Sequence, residues 1–375
     1  MKLSGENILV VSNEPWSDVW FSKHNYAWEL SKNNTVYFVN SPSNWKLSNL
    51  FSCEFSIKSI NENLSVVSIQ NTLPSTFNFL KEINNYITGK RLVKRIPGFK
   101  SGKFILWNFT PLFLFRPNLL PLKKSVFHIV DQNWTTFYGT SILASIADHL
   151  IIVSDKILSE YKEHMSKSLV IGHGISEDEF NIDSSILSSK REELKAYGNF
   201  GLFVGSIDIR LDFEFINLLT VKCQSINFVF IGPLNIKPSH PYYSLFTTSS
   251  NNIFHIGPRH YKELKYYIRL SSFCITPMDI TFPGNNIAHH KTLPFLAQGK
   301  HIFSPMFLDY SSMKHLMTLE NNKAELINKI NSFKGNETDE IINSRKAYAK
   351  EQSYNNHLSK IADFFNETHS NNHIQ

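Results

Sequence analysis

The chain has 375 residues, 42% of them hydrophobic and 13% aromatic, including 30 Phe. Its 38 Lys and Arg outnumber 32 Asp and Glu, giving a net charge of +6. That length suits two domains, each burying its own core, and the composition excludes a disordered, collagen-like or linker-dominated chain.

Short apolar runs alternate with longer helical patterns, the rhythm of parallel-sheet α/β units. The first run, Asn7–Ser12, is predicted as a strand. Phe21–Lys32 follows as a helix, because Tyr26, Ala27 and Leu30 recur at helical spacing. Further strands are predicted at Thr35–Asn40, Leu64–Ile69, Lys103–Trp107, Ser125–Val130 and His149–Ser154. The polar, charged stretch Ser176–Asn199 then reads as a linker with a helical end. A second series follows, with strands at Gly201–Val204, Asn227–Ile231, Ile253–Ile256, Ser272–Thr276 and His301–Ser304. Helices are predicted between them at Asp212–Lys222, Lys262–Leu270 and His290–Gln298. A long amphipathic helix, Arg345–Asn366, carries Ala349, Tyr354, Leu358, Ile361, Phe364 and Phe365.

The expected fold is α/β, with two Rossmann-like doubly wound domains in tandem. Residues 1–180 form the first, 181–198 a linker, 199–340 the second, and 341–375 a C-terminal helix with a polar tail. In open parallel sheets ligands bind beyond the carboxyl ends of strands, so the cleft between two such sheets is the expected site. Cys53, Cys223 and Cys274 lie far apart without a C-x-x-C pair, which argues against a zinc cluster or disulfide scaffold and for a reducing compartment. The apolar run near the start, Ile8–Val11, is too short for a signal segment, and no stretch is long enough to span a membrane. The expected location is cytoplasmic.

Several segments can carry chemistry. The turn after the first strand, NEPWSDVWFSKHNYAWEL, holds no glycine, and only glycine lets backbone approach a pyrophosphate closely. A nicotinamide dehydrogenase is therefore not expected. Trp16 and Trp20 in this turn suit stacking on a sugar or an apolar lipid chain, or packing of the loop on its own domain. Asp131 ends the strand-like FHIVD and can accept a proton from an incoming hydroxyl, or cap the next helix. His24 and Asp18 are the other candidate bases. In GLFVGSIDIRLD, Gly205 lets backbone amides approach an anion and Arg210 can neutralise phosphate. Further on, TPMDITFPGNNIAHHKTLPFLAQGK places His290 and Lys291 at a helix start. A lysine there opposes the macrodipole, and a bound anion gripped by the free N–H groups and the ammonium resolves the conflict.

In order, these segments resemble the GT-B glycosyltransferases, whose two facing Rossmann-like domains use nucleotide-sugar donors. KTLPFLAQGKHIFSP is similar to that class's K-L-x-E-Y-L-A-A-G-K-P-V-V run, with Lys291, Leu296, Ala297, Gly299 and Lys300 matching. GLFVGSIDIRLD resembles its G-x-x-x-x-R-x-D, ADHLIIVSDKILSEY its A-D-x-V-x-x-S, and GHGISEDEF its N-G-V-x-x-x-x-F. The opening VSNEPWSDVWFSKHNYAWELSK is similar to the bacterial exopolysaccharide subgroup that includes the xanthan glucuronosyltransferase. The resemblance runs from about residue 7 to the final helix, which in this class crosses back to the first domain.

The resemblance implies transfer of a sugar from a nucleotide donor, UDP-linked by expectation, to a glycan or lipid-linked acceptor in cell-envelope polysaccharide biosynthesis. No cofactor is implied. Lys291 would hold the donor diphosphate, Gly205, Arg210, Arg259 and His290 would line the same pocket, and Met278 would lie beside the base. Asp131 would stand where the subgroup places its base, with Trp16 and Trp20 on the acceptor. No D-x-D motif appears at a strand end, so the leaving-group charge would fall to Lys291, Arg210, Arg259 and the helix terminus rather than to a metal. One departure stands out. The acid that binds donor ribose or sugar is Pro294 here, leaving His290 or Gln298 as substitutes. That departure admits a non-catalytic sugar-nucleotide or partner-binding module; a GT-B-type nucleotide-sugar epimerase is a third alternative.

Residues 90–103, KRLVKRIPGFKSGK, set Lys90, Arg91, Lys94, Arg95, Lys100 and Lys103 among apolar residues. An anionic membrane surface is one expected partner, making the protein peripheral on the inner face of the cell membrane. A solvated helix face accounts for the same letters. No nucleic-acid motif accompanies the charge, and the 15 His form no metal-ligand spacing.

Overall fold

The computed structural model describes the chain except residues 1–2, 18–19, 44, 52, 249–251, 283–290, 308–309, 311–312 and 372–375, with backbone alone at 132–133 and 368–371. Two compact units emerge: Met1–His173 together with Tyr354–Gln375, and Gly174–Ser353.

In the first unit, β1 (Asn7–Val11), β2 (Thr35–Val39), β3 (Phe55–Ser59), β4 (Leu64–Ile69), β5 (Phe104–Asn108), β6 (Leu122–Ile129), β7 (His149–Ile152) and β8 (Ser168–Val170) form one sheet. Their order is β3-β4-β2-β1-β5-β6-β7-β8, parallel throughout except that β3 runs antiparallel to β4. Helices α1 (Ser22–Ser31), α2 (Asn78–Arg95), α3 (Tyr138–Ile146) and α4 (Asp155–Leu158) connect the strands. Ile8 and Val10 enter one core cluster while Leu9 and Val11 enter another. Burial on both faces is why the strand reads as an unbroken apolar run. By contrast β3, FSIKS, is almost wholly exposed and β8 is three half-buried residues, so neither gives a periodic signal.

In the second unit, β9 (Phe200–Val204), β10 (Asn227–Ile231), β11 (Ile253–His255), β12 (Phe273–Ile275), β13 (Ile302–Ser304) and β14 (Thr318–Leu319) pair in parallel in the order β11-β10-β9-β12-β13-β14. The winding reverses at β9, between β10 and β12, which is where open α/β sheets bind ligands. The helices are α5 (Ser184–Leu194), α6 (Phe213–Lys222), α7 (Leu264–Leu270), α8 (Thr292–Ala297), α9 (Lys323–Ser332) and α10 (Asp339–Glu351). Residues 181–198, read above as a linker, carry α5. Its Lys190 donates to the Tyr267 hydroxyl of α7 at 3.0 Å, and that hydroxyl donates to Glu193 at 2.9 Å.

The single helix expected over 345–366 is two. Gln352 and Ser353 close α10 with tight bonds to the carbonyls of Ala349 and Lys350, both 3.1 Å, and a terminal helix then runs Tyr354–Asn371. Ala349 packs in the second unit's core, whereas Tyr354, Leu358, Ile361 and Phe365 pack in the first's. One amphipathic stripe therefore serves two cores. Among the described residues, no helix is long and apolar enough to cross a membrane.

The terminal helix is pinned by a buried aromatic and imidazole group. The Tyr26 hydroxyl hydrogen-bonds Nδ1 of His357 at 3.0 Å, and Trp107 Nε1 donates to His128 Nδ1 at 3.2 Å. Burial pushes the His357 pKa down to about 4 and that of His128 well below the ordinary range, with neighbouring Lys360, His357 and His173 acting the same way. The unfolded chain then binds more protons between about pH 4 and 6.5. Stability from this group is full above that window and is lost as pH falls through it. Hydrogen exchange of the terminal helix should be slow at pH 7.5 and markedly faster at pH 5, with a smaller change in His357→Gln.

Candidate functional site

At the carboxyl end of β9 the chain enters Gly205 with φ 151°, a conformation that favours glycine. Its N–H donates to the Ile231 carbonyl at 2.9 Å, so β9 and β10 end side by side. Gly232 ends β10 with φ 148°, and a Cβ there would overlap the Gly205 carbonyl oxygen at 2.0 Å. The two loops then run on together, Ile207 bridging Leu234 and Asn235 Nδ2 donating to Ser206 Oγ at 2.9 Å.

Past this pair, Asp208 holds Arg210 in a fork, with Nε to Oδ1 at 2.8 Å and Nη2 to Oδ2 at 2.7 Å. Burial acts to raise the Asp208 carboxyl, but its bonds to Arg210 and Ser206 outweigh that and hold it at about 2. The loop next zips onto the one after β12. Leu211 bridges Met278, Asp279 N–H donates to the Arg210 carbonyl at 2.9 Å, and Asp212 N–H donates to the Pro277 carbonyl at 2.9 Å. Asp212 also caps α6, accepting from Phe215 N–H at 2.9 Å.

Lys291 stands just before α8, as its N-cap rather than inside its first turn. Thr292 anchors the helix start through a 2.5 Å hydrogen bond to the buried Tyr310 hydroxyl. The Lys291 ammonium is enclosed although the residue as a whole is half-buried. Its neighbours are soft: Met278 Sδ at 3.6 Å and the Phe203 ring, centroid at 4.8 Å. A Cβ on Gly205 would come within 3.1 Å of Nζ, so the missing side chain gives the ammonium its place. Among the described residues no carboxylate pairs with it. Burial pushes its pKa down to about 8, the Arg210 charge adds to that, and the Asp208 charge opposes it. Gly205, Arg210, Met278 and Lys291 thus come together at the sheet's switch point. Sequence reasoning missed Asp208, Gly232 and Thr276, whose buried hydroxyl at the end of β12 has no partner among the described residues.

Other expected donor-side residues lie differently. Arg259 spends its guanidinium on the Ile256 carbonyl at 2.5 Å, the Tyr267 hydroxyl at 3.1 Å and Glu193 at 3.4 Å. Gln298 donates to the Glu179 carbonyl at 2.5 Å. Pro294 is the third residue of α8. His290 and Asp18 lie outside the described residues. A hollow of about 480 Å³ borders Leu211, Asp212, Met278, Asp279 and Lys323, and neither Lys291 nor Gly205 lines it.

In the first unit, Asp131 follows the carboxyl end of β6 and is exposed. Its charge is felt by Lys23, a buried lysine of α1 whose ammonium donates to Asn13 Oδ1 at 2.7 Å and pairs with Glu14. Burial lowers the Lys23 pKa, while Glu14 and Asp131 oppose the shift. His24 is fully buried with both ring nitrogens engaged. Nδ1 accepts from Phe21 N–H at 3.1 Å, which leaves Nε2 to donate to the Pro15 carbonyl at 3.0 Å. Trp16 and Trp20 are half-buried, 5.3 Å apart, with Trp16 also against His24 and Phe38 and Trp20 against Trp28. The indoles therefore pack the loop on its own unit while keeping part of their surface open.

No family model and no curated protein matches the chain. Solved structures do. HepE of Anabaena, in complex with UDP and glucose, is 13% identical with a TM-score of 0.66, covering 96% of this chain and 99% of that one. An α,α-trehalose 6-phosphate synthase of Burkholderia multivorans is 10% identical at 0.67, covering 98% and 99%. A UDP-forming α,α-trehalose-phosphate synthase of Burkholderia xenovorans is 11% identical at 0.66, covering 96% and 99%. At these identities the likeness is one of fold: over nearly its whole length the chain has the α/β fold of GT-B glycosyltransferases.

Proposed function

We propose that this protein is a glycosyltransferase moving a sugar from a UDP-linked donor to a glycan or lipid-linked acceptor in cell-envelope polysaccharide biosynthesis, akin to the exopolysaccharide subgroup that its opening segment resembles. One observation carries the reading: the enclosed Lys291 ammonium beside Gly205, against a thioether and a ring, with no carboxylate paired to it among the described residues and Asp208 acting only at longer range. A desolvated cation without an anion is costly, and a diphosphate supplies the missing charge. The UDP held by HepE and the UDP-forming chemistry of the synthase support uridine as the base.

In this scheme Lys291 and Arg210 meet the charge that develops on the leaving diphosphate, in the role a metal plays elsewhere. Asp208 fixes the direction of the Arg210 fork. Fixed donors of this sort are typically worth about 3–4 kcal/mol of barrier each. Asp131 takes the acceptor proton; His24 is a poorer base because both its nitrogens are already bonded. A second reading, a module that binds sugar nucleotides without transfer, is favoured by Pro294 and by the commitment of Gln298 to Glu179. Turnover separates the two: UDP release that depends on an acceptor supports transfer, and binding without release supports the module.

Three outcomes are expected. Asp131→Asn should leave UDP affinity within about twofold and cut transfer by 100-fold or more, within the range of general-base losses of about 10²–10⁴; unchanged transfer removes it as the base. Lys291→Met should weaken UDP binding by roughly 10–100-fold, as loss of a charged hydrogen bond of about 1.5–3 kcal/mol implies, yet raise Tm, because it removes a buried cation. UDP binding should also take up a proton above about pH 8 and weaken as pH rises further, since the free ammonium is already losing its proton there. Calorimetry in buffers of different ionisation enthalpy checks this.

A further inference from the structure

We infer that the first unit docks on an anionic lipid bilayer through an apolar surface built from the 47–51 segment and the outer stripe of α2, with cations along its flank. Soluble surfaces scatter apolar residues singly. Here Phe51 is 91% exposed, Leu47 67%, Phe77 63% and Phe79 62%, with Leu50, Ile83 and Tyr86 exposed as well. Hydrogen bonds tie the two stretches that carry them to a common turn, and the Phe77 and Phe79 rings stack 6.0 Å apart. Trp45 Nε1 donates to the Thr72 carbonyl at 2.8 Å and Asn49 Nδ2 to the Asn71 carbonyl at 3.0 Å. Asn84 of α2 in turn clamps Leu73, accepting from its N–H at 2.9 Å and donating to its carbonyl at 2.8 Å. The 47–51 segment is thereby tied, through the 71–73 turn, to α2.

Along α2, Phe79, Ile83, Tyr86, Lys90 and Lys94 recur at helical spacing and form the exposed stripe, opposite the buried Asn84, Asn85, Thr88 and Leu92. Rings come first and cations after, with the Lys90 ammonium 5.3 Å from the Tyr86 ring centroid. Of the six cations singled out in the sequence, Arg91 is turned to the Gln70 carbonyl at 3.3 Å and Arg95 lies over the Phe55 ring. Lys90, Lys94, Lys100 and Lys103 are exposed, as is Lys46. Residues 46–103 hold nine Lys and Arg against three Glu, a surplus equal to the whole chain's +6. Of those Glu, Glu82 is withdrawn into a pair with Arg116.

Rings beside a row of lysines suit the interface between acyl chains and anionic headgroups, where both classes of side chain gain. The inference rests on the glycosyltransferase reading only for its purpose, delivery of a lipid-linked acceptor. The test uses the full chain and sedimentation with vesicles of phosphatidylethanolamine and phosphatidylglycerol, against phosphatidylcholine alone. Binding should favour the anionic vesicles and weaken severalfold as salt rises. Phe51→Ser/Phe77→Ser/Phe79→Ser should lower partitioning at least tenfold, and Lys90→Glu/Lys94→Glu should remove the anionic preference, with UDP affinity unchanged in both. All five substitutions lie on the exposed surface, and circular dichroism verifies the fold. Wild-type protein that stays in the supernatant overturns the inference. So does a concentration-dependent dimer abolished by the triple variant, which would mean that a second copy covers the patch. Either result leaves UDP binding, and so the donor reading, to stand or fall separately.

Discussion

A largely buried ammonium that no carboxylate among the described residues pairs with is the constraint at the second unit's carboxyl edge. Lys291 gains a little from the Met278 sulfur and the Phe203 ring, but neither replaces an anion. Burial, with the Arg210 charge adding to it and Asp208 opposing, depresses the pKa to about 8, so this cation costs stability at the place where the sheet's winding reverses. Such a trade is common where binding or catalysis needs charge that folding does not.

The surrounding loops explain how so short a helix can present that cation. Gly205 and Gly232 let two strand ends close against each other, and the Leu211–Met278 bridge joins the loops after β9 and β12. Asp208 aims Arg210, and Thr292 with Tyr310 fixes the turn that follows Lys291. Most of these contacts are made by backbone or by buried side chains, the half-exposed Arg210 fork on Asp208 being the exception.

Much of this could be read from the letters. Central strands announce themselves through apolar runs because both faces are buried, and NFVFI and the Ser-interrupted LSVVSI are bounded in the sequence where they end in space. Gly205 and Lys291 were legible as anion-binding residue types. Gly232 was equally available, since it too follows an apolar strand run directly. Asp208 sits two residues before Arg210, and nothing in that spacing shows that its carboxylate clamps the guanidinium. What local sequence could not show was competition between partners. Nothing near Arg259 signals that Ile256, Tyr267 and Glu193 claim its donors, and the amphipathic stripe over 345–366 gives no sign of passing from one core to another at Ser353. The apolar and basic letters of α2 were visible too, but their separation into a buried side and an outer stripe depends on what packs beneath.

The most direct test is a crystal structure of the protein with UDP bound. The account predicts a diphosphate oxygen within hydrogen-bond distance of Lys291 Nζ, over the bare backbone of Gly205 and near the Arg210 fork. A nucleotide seated elsewhere in the second unit, with the ammonium still against Met278 and Phe203, would contradict it.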